Sequence, residues 1–104
     1  MDSKFFVSTC QHRVFGKQVQ VQFAGDFLLK LTQVEASSLS FALVAVRDGL
    51  SDEREIYMSP IGSDAAFVGW VQDSGVNIAI PVGTLELDWI NVGCLAQAIA
   101  AAID

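Results

Sequence analysis

Charge is what this chain has least of. Asp, Glu, Lys and Arg make up 17% of its 104 residues, against about 25% in an average soluble domain. Cations are the scarcer sign: six Lys and Arg face twelve Asp and Glu, for a net charge of −6. An acidic chain repels phosphate backbones, which excludes nucleic acid as a partner class. Lys4, Arg13, Lys17 and Lys30 in the first third of the chain are too scattered to form a binding stripe.

Thiols and imidazoles are nearly absent too. The two cysteines, Cys10 and Cys94, stand near opposite ends of the chain. A secreted disulfide framework shows more cysteines and an export signal. The opening MDSKFFVSTC is too short in apolar residues for a signal-peptide core, so the expected location is cytoplasmic, with reduced thiols. His12 is the sole histidine. Zinc needs three or four ligands in close spacings, and Cys10, His12 and Cys94 do not provide them. On one strand, Cys10 and His12 stand about 6–7 Å apart, too far for a Cys–His nucleophile pair. The acidic run RDGLSDERE, with Asp48, Asp52, Glu53 and Glu55, lacks the alternation and closing glutamate of a calcium loop. SPIGSDAAF has no lysine to complete a phosphate cradle. No metal, cofactor or catalytic constellation is expected, and an enzyme is the less favoured reading.

What is present is apolar. Hydrophobic residues reach 52%, with eight glycines besides, in a chain sized for one domain spanning 1–104. A domain this small hides only about 60–70% of its unfolded surface. Part of the apolar excess must therefore show on the surface or be covered by another subunit. Self-association is expected, a dimer first.

The patterning favours strands. In KQVQVQF, Val19, Val21 and Phe23 alternate with Gln18, Gln20 and Gln22, so one face is buried and the other wet. AGD turns the chain into FLLKLT, a hairpin partner, and KFFVSTC reads as a strand before it. REIYMS is a short strand, PIG a turn, and AFVGWVQ–DSG–VNIAI a second hairpin ended by Pro81 and Gly83. Residues 37–47 are ambiguous. Ser37 or Ser38 with Gly49 would bound a helix, while Val44 and Val46 favour a strand; the strand is preferred. The last segment is helical by spacing, with Leu85, Trp89, Val92, Ala96, Ile99 and Ile103 on one stripe and Thr84 or Asp88 as cap. Gly93 within it allows close approach of another backbone. No internal repeat is apparent. The expected fold is α+β: a mainly antiparallel sheet of about five to seven strands, with one C-terminal helix packed on one face.

Three groups of residues follow as candidates. The helix face opposite the stripe holds Ile90, Cys94, Ala98 and Ala101, with no charge between Asp88 and Asp104. It is too short to span a bilayer, and a helix apolar all round is usually buried all round, so this face is an interface candidate. Gln18, Gln20 and Gln22, a neutral polar face, are another. The carboxylates Asp48, Asp52, Glu53 and Glu55 suit a protein partner with a basic surface. The expected function is a small, acidic, non-enzymatic interaction protein that self-associates or binds a protein partner, as an assembly subunit, inhibitor or immunity-type protein. The alternative is a small-ligand-binding domain or small enzyme, its pocket between sheet and helix lined by Tyr57, Met58 and Trp70.

Overall fold

The computed structural model describes residues 4–103 of the chain. Its elements run β1 (Phe5–His12), β2 (Gly16–Phe23), β3 (Phe27–Thr32), α1 (Gln33–Arg47), β4 (Glu55–Met58), β5 (Phe67–Gln72), β6 (Gly75–Ile80), β7 (Gly83–Asp88) and α2 (Trp89–Ile103). All strand pairs are antiparallel, in a three-stranded sheet β1-β2-β3 and a four-stranded sheet β4-β5-β6-β7. The α+β class therefore stands, but seven strands divide into two sheets and there are two helices rather than one.

Both sheets bury one face against the helix pair. Val19, Val21 and Phe23 of β2 and Leu29 and Leu31 of β3 join Phe67, Ile78 and Leu87 from the other sheet, with Leu39, Leu43, Leu95 and Ile99 from the helices, in one continuous core. The period-two apolar pattern of each hairpin supplies its inward face. Phe23 and Phe67, ring centroids 6.2 Å apart, join the two sheets. Truncating a core leucine such as Leu39 to alanine costs about 2–5 kcal/mol.

The second helix corrects the reading of 37–47 as a strand. Its start lies earlier than Ser37, in a capping box: the Thr32 hydroxyl accepts from the Glu35 amide at 3.1 Å, and the Glu35 carboxylate accepts from the Thr32 amide at 2.9 Å. The run to Arg47 then buries Ala36, Leu39, Ser40 and Leu43 on one face. Packing of that face outweighs the modest rotamer cost of Val44 and Val46 in a helix. The C-terminal helix is also shorter than the sequence suggests. Leu85 belongs to β7, Pro81 and Val82 form the turn of the β6–β7 hairpin, and α2 begins at Trp89. Asp88 Oδ1 accepts from the Asn91 amide at 2.8 Å, the interaction of an N-cap.

The two sheets and two helices form two copies of one arrangement. β1-β2-β3-α1 and β5-β6-β7-α2 have the same order, and their registers correspond: Val7↔Val21↔Leu29 in one half, Gly69↔Ile78↔Leu85 in the other. Four buried helix positions match, Ala36, Leu39, Ser40 and Leu43 in α1 with Val92, Leu95, Ala96 and Ile99 in α2, while Ala45 and Val46 are buried only in α1. The hairpin tips also meet, since a Cβ on Gly25 would stand 2.8 Å from Val82 Cγ2. In each half the segment before the first strand protects an edge of the other half. The Ser63 hydroxyl donates to the carbonyl of Lys30 at 3.0 Å and accepts from its amide at 2.7 Å, on the β3 edge. Lys4 Nζ donates to the Glu86 carbonyl at 2.8 Å, on the β7 edge. Among the described residues, β4 is an addition that one half has and the other lacks.

Candidate interaction surface

The outer face of α2 is a groove. Trp89, Ile90, Gly93, Cys94, Gln97, Ala98 and Ala101 line it, Arg47 forms its rim, and it is shallow, about 740 Å³ lying largely open to solvent. Ile90 is 78% exposed. No charged residue occurs from Trp89 to Ile103, so the floor is apolar and shaped by small side chains. Trp89 is half-buried and fixed by its indole N–H, which donates to the Asp73 carbonyl at 2.8 Å. The structure thus brings Ile90, Cys94, Ala98 and Ala101 together, as the sequence spacing implies. Gly93 receives a side chain rather than a backbone: a Cβ there would lie 2.8 Å from Arg47 Nη1.

Arg47 is held in place by Asp48, with Nε–Oδ1 at 2.9 Å and Nη2–Oδ2 at 3.3 Å. That hydrogen bond, with the attraction of the guanidinium, keeps the Asp48 carboxyl below the usual carboxylate range. Both groups face solvent, so the pair positions the rim more than it stabilises the fold. Asp88 is lowered chiefly by the hydrogen bond from the Asn91 amide at the start of α2, with Lys4 adding a smaller attraction.

The glutamine face is not an open surface. Gln18 is 1% exposed, because the turn around Gly62 closes over it: a Cβ on Gly62 would stand 2.6 Å from Gln18 Nε2. Its Oε1 receives the Cys10 thiol at 3.8 Å, while Nε2 has no hydrogen-bond partner among the described residues. Gln20 is half-buried. Gln22 is exposed, but its amide donates to the carbonyls of Phe23 and Phe27 within its own hairpin. Gln18 is therefore removed as an interface residue, through a long-range contact that strand alternation does not reveal.

The other candidates differ in placement. Asp48 is tied to Arg47 and Glu55 lies in β4, while Asp52 and Glu53 are exposed in the connection before it. Among the described residues no three His, Cys, Asp or Glu side chains group as metal ligands would. His12 Nδ1 accepts from the Val14 and Phe15 amides at 3.0 and 3.2 Å, which makes it a turn residue of the β1–β2 hairpin. Tyr57, Met58 and Trp70 do not share a pocket. Met58 packs on the core, whereas Tyr57 and Trp70 are 63% and 40% exposed. Tyr57 borders a cleft of about 320 Å³ between α1 and β4 that includes neither Met58 nor Trp70. No described helix is long and apolar enough to cross a membrane. No family model, curated protein or solved structure matches the chain.

Proposed function

We propose that this chain is a non-enzymatic interaction module that self-associates, a dimer first, through the outer groove of α2. The observation that carries the reading is the groove itself: a neutral, apolar, small-residue surface on a helix whose other side is already core. On a chain of net charge −6, it is a place where two copies approach with little like-charge opposition. Two free thiols, at Cys10 and Cys94, accord with a reducing compartment such as the cytoplasm. The exposed carboxylates of Asp52, Glu53 and Glu55 would suit a second partner with a basic surface.

The test is solution mass by size-exclusion chromatography with light scattering, over a wide concentration range. A dimer is expected, and Ala101→Glu, which sets a carboxylate on the groove wall at an exposed position, is expected to be a folded monomer. A wild-type monomer at every concentration removes the reading.

A further inference from the structure

Beyond the lengths of strands and turns, the two halves differ in what lies on the first strand and on the helix face above it. In the second half β5 is paired on its outer edge by β4. β4 and the segment leading into it also border α1: Ser51, Glu53 and Ile56 line a cleft with Phe41, Ala42 and Ala45, in which Ala45 is buried while Phe41 stays exposed. The Ala45 carbonyl accepts from the amides of Leu50 and Ser51 at 2.9 and 3.2 Å. The matching positions on α2 are Gln97, Ala98 and Ala101, which line the open groove. The strand matching β5 is β1, which among the described residues is paired with β2 alone. One segment borders the helix face and pairs the strand edge in one half. In the other half, among the described residues, no strand but β2 pairs with β1, and Ala101 is exposed where Ala45 is buried.

This defines the shape of what is missing: an extended strand beside β1, with apolar cover for the α2 groove. We infer that a second copy of this chain supplies it, its β1 pairing antiparallel with β1 so that two three-stranded sheets merge about a two-fold and the α2 grooves close over the seam. The inference rests on the self-association proposed above and specifies its geometry.

Charge favours this occupant over a strongly acidic or basic partner. From Phe5 to Gln11, and again from Trp89 to Ile103, the chain has no charged residue. Two copies of an acidic protein can therefore meet here with little like-charge opposition across the seam. β1 is eight residues long, without proline, lysine or glutamate to blunt it, although exposed edges are ordinarily guarded by such residues. Antiparallel pairing of a strand with its own copy is isologous, so it closes at a dimer and does not propagate.

Hydrogen–deuterium exchange on the full chain, at concentrations below and above the dimerisation midpoint, reads the seam directly. Alternate amides of Phe5–His12 are expected to slow in the dimer, while those of β4 do not change. Thr9→Lys, at an exposed β1 position, is expected to keep the monomer fold by circular dichroism and to weaken the dimer by about tenfold or more, through like charges at the seam; Thr9→Val is expected to dimerise as the wild type does. A dimer broken by Ala101→Glu but indifferent to Thr9→Lys, with β1 amides unchanged, overturns the strand seam and leaves helix-mediated association standing. A monomer at all concentrations overturns both. A monomer whose β1 amides slow only on adding an unlike protein overturns the second copy as occupant.

Discussion

The Ser40 hydroxyl donates to the Ala96 carbonyl at 2.9 Å, and these residues occupy corresponding positions in α1 and α2. Contact between equivalent positions is what a local two-fold produces where two like helices cross. It also explains the side chains: both sites are buried, and only small residues let the helices approach so closely.

Exchanging the two side chains tests this relationship. Ser40→Ala removes one buried hydrogen bond and should cost about 1 kcal/mol. Under a local two-fold, Ala96→Ser places a hydroxyl where it can reach the residue-40 carbonyl. The double variant Ser40→Ala with Ala96→Ser should then recover most of the loss in urea unfolding. Additive losses in the double variant would mean the crossing is not symmetric. Ser40→Leu should cost about 1–3 kcal/mol by overpacking.

Neither the repeat nor α1 is evident in the sequence, for separate reasons. The halves share scattered apolar positions, such as Leu29 with Leu85, Leu31 with Leu87, Leu39 with Leu95 and Ala42 with Ala98. Any strand-then-helix pair would place apolar residues at such intervals, and the hairpin turns differ in length between the halves. The start of α1 is signalled by Thr32 and Glu35, three residues apart at the end of a strand, but Ser37 and Ser38 offer a later cap and Val44 and Val46 offer strand propensity. The hairpins and the outer face of α2 were legible because alternation and missing charge are local signals. The burial of Gln18 was not, because it depends on Gly62, far away in the chain.

Gln18 makes a second prediction. A buried amide nitrogen without a partner carries a desolvation cost that an apolar side chain of similar size avoids. Gln18→Met should therefore raise the thermal midpoint or leave it unchanged, by an amount corresponding to about 1 kcal/mol. Among the described residues, the weak thiol contact from Cys10, at 3.8 Å, is the hydrogen bond it forfeits. A clear fall in the midpoint would show that the amide is satisfied in solution.

The capping box at Thr32 carries the third. Thr32→Ala removes the acceptor for the Glu35 amide and should destabilise the fold by about 1 kcal/mol. Glu35→Gln should be milder, because its amide oxygen can still accept from the Thr32 amide or from the Ile61 amide, bound to the other carboxylate oxygen at 3.0 Å. Denaturant unfolding of the two variants, compared with wild type, gives the order directly.

Asp88 sets a pH dependence whose sign is fixed. Its folded-state carboxyl lies below the usual carboxylate range, because the ionised form accepts from the Asn91 amide and faces Lys4. A depressed carboxyl stabilises the fold fully above its unfolded-state value, and that stabilisation is lost as pH falls through the folded-state value. Asp48, depressed by Arg47, acts in the same direction. Stability measured by urea unfolding should therefore decline on acidification through and below the carboxylate range. Asp88→Asn keeps an oxygen that can cap α2 but carries no titrating charge. It should be slightly less stable than wild type at neutral pH, and the difference should shrink as both proteins are taken below the carboxylate range. A difference that stays constant with pH would assign the role of Asp88 to its hydrogen-bonding shape rather than to its charge.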